Sequence, residues 1–148
     1  TRVLVDKHIL LIEDDPGVAH AYLAGLRSQP TWRLYHANML SSARTVLQSL
    51  DAEGIHCALI ILDVNLPDSL GLAGIVNLRA FVREVTDGHP HVPIVALTGV
   101  EDPELRDEIL SWGVQKYHVK GTMSLAVLRA IVREVLQNNG ADNIPQPE

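Results

Sequence analysis

Three acidic side chains, one hydroxyl and one ammonium group follow apolar runs in this sequence, each near the point where the run ends. Glu13 and Asp14 follow the first run, Asp63 the third, Thr98 the fourth and Lys120 the fifth. In an open sheet of parallel strands the ligand site lies outside the carboxyl ends of the strands. We therefore expect these side chains to converge on one crevice, which would suit a divalent cation and a phosphoryl group.

The apolar runs alternate with segments of helical periodicity along the chain. The predicted strands are His8 to Ile12, Trp32 to Ala37, Ala58 to Leu62, Ile94 to Leu97 and Lys116 to Val119. Five strand-then-helix units predict an α/β fold with a parallel sheet covered by helices on both faces. Right-handed crossovers leave few strand orders, and we expect the doubly wound, flavodoxin-like order 2-1-3-4-5 with five helices.

Helix starts are indicated by capping residues and by proline at the first helical position. Asp15-Pro16 and Asp102-Pro103 predict the first and fourth helices, Ser41 or Ser42 the second, and Ser124 the fifth. The third helix is predicted from an apolar stripe at helical spacing after a loop at 64–70. Its members are Leu72, Ile75, Leu78 and Val82.

The predicted strand order makes the first and third strands neighbours, so Glu13 and Asp14 would lie close to Asp63. At about 4 Å and an effective dielectric constant near 20, each pair of like charges costs roughly 4 kcal/mol. A cation must compensate for this repulsion. Mg²⁺ prefers carboxylate and water oxygens, commonly completed by phosphate oxygens, and Lys120 offers a further positive charge.

Composition restricts the class of protein. The 148 residues fit one domain, and the 47% apolar content can bury an ordinary core. No apolar run is long enough to cross a membrane and no secretory leader is visible, so we expect a cytoplasmic protein with no membrane contact. The lone Cys57 excludes an internal disulfide. A net charge of -6 argues against direct nucleic-acid binding by this segment.

Four segments of the chain resemble the receiver domain of two-component response regulators, and the similarity covers nearly all of residues 8 to 137. They are the acidic pair in Leu10 to Pro16, the phosphoacceptor loop in Leu62 to Asp68 with Gly71-Leu72, the switch threonine in Ala96 to Gly99, and the aromatic and lysine in Gly113 to Lys120. Each segment alone is a weak signal, but four in the correct order at strand ends are a specific one. On this basis we expect an N-terminal arm at 1–7, a receiver domain at 8–137 and a tail or linker at 138–148.

The resemblance implies a phosphoryl relay. Asp63 would take a phosphoryl group from a phosphohistidine on a histidine kinase or a histidine phosphotransfer protein, forming an aspartyl phosphate. The resemblance also implies a Mg²⁺ cofactor, bound by Asp14, by Glu13 through water, by one carboxylate oxygen of Asp63 and by the backbone carbonyl of Asn65. The chain would be a signalling domain that catalyses its own phosphorylation and dephosphorylation, not an enzyme acting on a separate substrate.

The resemblance further implies a conformational switch. Lys120 would pair with a phosphoryl oxygen or, before transfer, with Asp63, and Thr98 would donate its hydroxyl to another phosphoryl oxygen. If Thr98 moves, Tyr117 could turn inward and alter the surface of helix four, strand five and helix five. A homodimer through the fourth-helix to fifth-helix face is compatible with the sequence, although no feature of the sequence indicates it.

Two residues depart from the commonest receiver pattern. Gly121 follows Lys120 where many receivers have proline, which loosens the expected geometry of that loop. Val100, two residues after Thr98, cannot hydrogen-bond a hydrolytic water, so slow self-dephosphorylation is expected.

Two other functions compete with this interpretation. A pseudo-receiver would keep the fold as a protein interaction module without phosphorylation, and weak Mg²⁺ binding that is lost on Asp14→Asn would argue against it. A metal-dependent phosphohydrolase using Asp63 usually has a second acid two residues later, where this chain has Asn65. The sequence leaves open the cognate kinase, the output, and whether the chain stands alone or is part of a larger regulator.

Overall fold

Strands and helices alternate along the whole described part of the chain. The computed structural model describes residues 5–143, and for residues 122 and 140–143 it describes the backbone alone. The strands are β1 (Lys7–Ile12), β2 (Trp32–Ala37), β3 (Cys57–Asp63), β4 (Ile94–Thr98) and β5 (Lys116–Val119). The helices are α1 (Pro16–Leu26), α2 (Leu40–Ala52), α3 (Gly71–Gly88), α4 (Pro103–Ser111) and α5 (Leu125–Asn143), with a short 3-10 helix at Lys120–Thr122.

The five strands form one parallel sheet in the order β2-β1-β3-β4-β5, which confirms the predicted flavodoxin-like topology. The pairing register aligns the carboxyl ends of the central strands: Ile12 pairs with Leu62, and Asp63 pairs with Leu97. Residues that directly follow these strands therefore emerge at the same edge of the sheet.

Two hydrophobic cores sandwich the sheet because its central strands are covered on both faces. One core packs α2, α3 and α4 against side chains such as Leu10 and Ile60, and the other packs α1 and α5 against side chains such as Ile9 and Leu59. All four of these strand residues are fully buried. Continuous apolar runs in β1 and β3 are what a doubly covered strand requires.

The predicted caps of three helices are confirmed. At the start of α1, the Asp15 carboxylate accepts hydrogen bonds from the backbone N–H of Gly17 (2.9 Å) and Val18 (3.1 Å). Asp102 accepts from Leu105 N at α4, at 3.1 Å, and the Ser124 hydroxyl accepts from Val127 N at α5, at 3.2 Å. These side chains satisfy N–H groups that have no partner within the helix.

The predicted cap of α2 is only partly right: neither serine is the N-cap residue, but Ser42 Oγ accepts a hydrogen bond from the backbone N–H of Met39 at 3.2 Å. The helix begins at Leu40, one residue before the first of the expected serines, and its N-cap residue Met39 offers no side-chain hydrogen bond. The Asp68 carboxylate instead accepts from the backbone N–H of Leu40 (2.9 Å) and of Ser41 (3.0 Å). The cap comes from the loop between β3 and α3, and local sequence patterns carry no information on such a distant partner.

One further expectation, the apolar stripe of α3, needs correction. In the predicted stripe of α3, Leu78 and Val82 are buried but Leu72 is 91% exposed, because the helix turns Phe81 and Val85 toward the core instead. Helix α5 continues to Asn143, so the boundary predicted after residue 137 falls inside a helix. Lys7, assigned to the N-terminal arm, belongs to β1. Residues 1–4 of the predicted arm and residues 144–148 of the predicted tail lie outside the described residues. None of the helices in the described residues has the length and apolar character needed to cross a membrane.

Candidate functional site

Three carboxylates meet at the carboxyl edge of the sheet. Glu13 and Asp14 follow β1, Asp63 ends the neighbouring β3, and one ligand atom from each of the three lies within 4.8 Å of the others. Glu13 is 1% exposed and Asp63 is 2% exposed, whereas Asp14 faces solvent. The parallel register of β1 and β3 produces this convergence, as the sequence predicts.

Lys120 supplies the positive charge beside the buried acids. It begins the 3-10 helix after β5, and its side chain reaches past the end of β4 toward β3. Its ammonium nitrogen lies 3.0 Å from Asp63 Oδ2 and 2.6 Å from Glu13 Oε2. The pairing with Asp63 is the one expected before phosphoryl transfer, while the shorter contact with Glu13 is an additional one.

The electrostatics of this group are dominated by burial. Burial, assisted by the negative charge of Asp63, raises the pKa of Glu13 above its ordinary value despite the hydrogen bond from Lys120. Burial also opposes the charged form of Lys120, but the hydrogen bonds and attraction from Glu13 and Asp63 outweigh it and raise the pKa of the ammonium. Because the cluster has three carboxylates and Lys120 pairs with two of them, the lysine does not neutralise all of the negative charge.

Backbone N–H groups orient the two buried carboxylates. Asn65 N donates to Asp63 Oδ1 at 3.0 Å, and Asp15 N donates to Glu13 Oε1 at 3.2 Å. Each acid thus uses one oxygen for the backbone and the other for Lys120. Such fixed donors restrict the carboxylate rotamers and leave fewer geometries open to an incoming ligand.

The donor set fits a hard divalent cation. Carboxylate oxygens are the preferred ligands of Mg²⁺, and the cluster offers one from each of Glu13, Asp14 and Asp63 at mutually compatible distances. Asp14 is exposed and so provides access from solvent. Three carboxylates share one lysine in this cluster, so an added cation would relieve electrostatic repulsion between them.

The two residues expected to form the switch lie on β4 and β5, on the side of β3 away from β1. Thr98, 2% exposed at the end of β4, donates its hydroxyl to Val100 O at 3.2 Å and accepts from Val100 N at 3.4 Å. It is therefore bonded to its own loop. The Tyr117 ring packs against the core under α4, and its buried hydroxyl has no hydrogen-bond partner among the described residues.

The remaining residues singled out in the sequence follow β3, β4 and β5 along the chain. Asn65 is exposed, and so is Val100, at 69%. At Gly121 a methyl group would meet no atom within 4 Å and the backbone is not left-handed, so glycine is not required there for steric reasons.

Sequence reasoning missed the residues that hold the loop after Asp63. Asp68 binds α2, the buried Ser69 hydroxyl binds within the loop, and Gly74 of α3 lies directly beneath Ser69. A D-S-L-G stretch reads as an ordinary turn, and no spacing in the sequence distinguishes a turn that is anchored to a distant helix.

Comparison with known proteins agrees with this geometry. The family model described as the response regulator receiver domain matches residues 9–140. The chain belongs to the response regulator receiver domain family. Among the curated proteins, no sequence matches this receiver domain.

Solved receiver structures share the fold at low sequence identity. A CheY-like response regulator receiver domain from Methanospirillum hungatei aligns with a TM-score of 0.75 at 19% identity, covering 93% of this chain and 99% of that one. The signal receiver domain of an HD domain-containing protein from Pseudomonas fluorescens aligns with a TM-score of 0.77 at 19% identity, covering 96% of this chain and 95% of that one. A response regulator from Thermotoga maritima aligns with a TM-score of 0.73 at 16% identity, covering 90% of this chain and 99% of that one.

Proposed function

We propose that this receiver domain accepts a phosphoryl group on Asp63 from a phosphohistidine and relays a two-component signal. The observation that carries the proposal is the pairing of a buried Asp63 with Lys120 at 3.0 Å, inside a three-carboxylate cluster at the sheet edge. A structural salt bridge needs one acid for one lysine. A second buried acid and a third exposed one in the same cluster suit metal-assisted phosphoryl transfer.

The proposed step uses the residues in distinct roles. One oxygen of Asp63 forms a bond to phosphorus while the phosphorus–nitrogen bond of the phosphohistidine breaks, and the imidazole leaves with that electron pair. Lys120 then shifts its contact from Asp63 to a phosphoryl oxygen, and Thr98 donates its hydroxyl to another. The domain promotes its own phosphorylation and dephosphorylation by positioning and charge.

A Mg²⁺ ion, when bound, neutralises the charge that develops on the transferred group. Asp14 and Asp63 would hold it directly, Glu13 through water, and Asn65 through its main-chain carbonyl. Asp14 suits the role of an entry ligand because it is solvent-exposed and makes no hydrogen bond to the other two acids.

The proposed partner is a histidine kinase or a histidine phosphotransfer protein, and the proposed location is the cytoplasm. The partner's phosphohistidine must approach the sheet edge where the acids lie. Direct nucleic-acid binding is not part of the proposal, since the chain carries a net charge of -6. Dimer formation through the α4 and α5 face stays an open expectation.

Incubation with Mg²⁺ and acetyl phosphate, followed by intact-mass measurement, tests the phosphoacceptor. We expect the wild-type domain to gain one phosphoryl group and the Asp63→Asn variant to gain none. Omission of Mg²⁺ should slow the gain strongly. Failure of the wild-type protein to react, in a sample shown to be folded, would favour the pseudo-receiver function instead.

The second half of the proposal is a switch of the surface formed by α4, β5 and α5. If Thr98 exchanges its bonds with Val100 for a bond to the phosphoryl group, the loop before α4 is released and Tyr117 can move. NMR of a stoichiometrically phosphorylated sample should show shifted Tyr117 signals. Unchanged Tyr117 signals in such a sample would contradict the switch but not the phosphoacceptor role.

A further inference from the structure

The loop between β3 and α3 is anchored at both of its ends and in its middle. It begins at Asp63, where Val64 N donates to Leu97 O at 2.9 Å and Asn65 N donates to Asp63 at 3.0 Å. It ends at α3, where Gly74 N donates to Leu70 O at 3.1 Å. The same loop carries the main-chain carbonyl of Asn65, one of the proposed Mg²⁺ ligands.

Ser69 closes the loop on itself. Its buried hydroxyl, in a residue 6% exposed, donates to Val64 O at 2.6 Å and accepts from Leu66 N at 2.8 Å. The Ser69 backbone N–H donates to Leu66 O at 3.0 Å. Residues 64–69 therefore form a compact turn whose internal polar groups are largely paired.

Gly74 lets this turn rest directly on α3. A Cβ atom built at Gly74 would lie 2.1 Å from the carbonyl carbon of Ser69 and 2.4 Å from its oxygen. Real Cβ atoms do not approach backbone so closely, so the contact needs glycine. The loop cannot move toward α3 and is held on that side by steric contact.

Asp68 ties the opposite side of the loop to α2. Its two carboxylate oxygens accept from Leu40 N at 2.9 Å and Ser41 N at 3.0 Å, and its carbonyl accepts from Asn77 Nδ2 at 3.1 Å. A carboxylate at a helix N-terminus is favoured by the unpaired N–H groups and by the helix dipole. Since Met39 provides no cap, this distant carboxylate caps α2.

We propose that Asp68 is a positioning residue for the phosphoacceptor site: by clamping the β3–α3 loop to the N-terminus of α2, it holds the Asn65 carbonyl in place for the metal. The inference rests on the proposed function, because it concerns the same site. Asp68 itself touches neither substrate nor metal. It acts through the loop, five positions after Asp63 in the sequence.

The test compares Asp68→Ala and Asp68→Asn with two controls on α2. Asp51→Asn changes an acid at the other end of the helix, where Asp51 binds His89. Gln48→Gly weakens the helix at an exposed position without touching the loop, at a stability cost comparable to that of a lost cap. Asp68→Asn keeps one acceptor oxygen, so it can serve one of the two N–H groups and should rescue part of the effect.

The first measurement is hydrogen exchange of the metal-free proteins at residues 64–69. We expect Asp68→Ala to speed exchange in this loop, and both controls to leave it at the wild-type rate. The second measurement is Mg²⁺ titration of the same proteins. We expect Asp68→Ala to weaken Mg²⁺ binding on the order of tenfold, as outer residues that orient metal ligands do, with Asp68→Asn intermediate.

Three outcomes would overturn the inference. If Asp68→Ala leaves both the hydrogen exchange of the loop and the Mg²⁺ affinity unchanged, the clamp does not position the site. An equal loss of affinity in Gln48→Gly would assign the effect to helix stability alone. A wild-type protein that neither binds Mg²⁺ nor accepts a phosphoryl group would overturn the proposed function as well, so the two failures are distinguishable. If Asp68→Ala does not fold, Asp68→Asn carries the same comparison.

Discussion

At the scale of residues, the site contains more carboxylates than cations, and two of the carboxylates are buried away from water. Two acids that are almost fully buried share one lysine, and a third acid stands at the solvent boundary. The burial that raises the pKa of Glu13 also makes every charge in the group strongly dependent on its neighbours. Removing one charge should therefore change both the free energy of unfolding and its dependence on pH.

Lys120→Met should destabilise the metal-free domain, and more so at high pH. Because the pKa of folded Glu13 lies above its unfolded value of 4.5, folded protein binds more protons and loses stability as pH rises through the folded pKa. Without Lys120, only the hydrogen bond from Asp15 N opposes the effects of burial and of the Asp63 charge, so the pKa of Glu13 rises further and the loss of stability at high pH grows. We expect Lys120→Met to lower the free energy of unfolding by about 3 kcal/mol at pH 8 and by clearly less at pH 5. Urea unfolding at the two pH values measures this difference.

Lys116→Met is the matched control for that experiment. Lys116 pairs with Glu134 at 3.2 Å on the surface, where side chains are 29% and 57% exposed. An exposed pair of this kind contributes about 0–1 kcal/mol. Equal effects of the two substitutions at both pH values would contradict the description of the Lys120 group as a buried, strongly coupled one.

At the scale of elements, capping and close packing decide where the loops of the site lie. Asp15, Asp102 and Ser124 cap the helices that follow them in sequence, and these caps could be predicted because donor and acceptor lie within three residues. The cap of α2 could not be predicted, because Asp68 lies 28 residues from Leu40 along the chain. The contact of Gly74 with Ser69 spans only five residues, but it depends on how the loop folds back onto α3.

Gly74→Ala should destabilise the domain by about 2–3 kcal/mol, since the new methyl group collides with the Ser69 backbone and neither element can shift freely. Gly88→Ala is the matched control at the end of the same helix. No atom lies within 4 Å of a Cβ at Gly88, and its backbone is helical, so alanine should be neutral or slightly stabilising. Thermal unfolding compares the two, and similar losses would refute the steric explanation.

At the scale of the whole molecule, the topology of the doubly covered sheet gathers the carboxylate cluster and Lys120 at one edge of the domain. The strand order places β1 and β3 side by side at the centre, and β4 and β5 follow on one side. The residues of the site are therefore brought together by topology, while the two cores on either face hold the strands in register. A ligand that binds this edge should stabilise the entire fold.

Mg²⁺ should raise the midpoint of thermal unfolding of the wild-type domain. A ligand present at 100 times its dissociation constant and bound only by the folded state adds about 2.7 kcal/mol. Asp14→Asn should abolish the increase, and it should leave the metal-free protein at least as stable as wild type because it removes a charge that Glu13 and Asp63 repel. An equal Mg²⁺ effect in Asp14→Asn would argue against the carboxylate cluster as the binding site, and chelation should reverse the effect in wild type.

The sequence by itself determined the order of the elements, the strand order and the set of acids at the sheet edge, because strand periodicity, helix caps and chain topology act over short distances or through general rules. Only the tertiary structure decided which groups touch. Lys120 reaches Glu13 across 107 residues of sequence, Thr98 is bonded to Val100, and Asp68 caps α2. Such contacts depend on side-chain directions and on distances between elements, and these are set only when the two cores pack against the sheet.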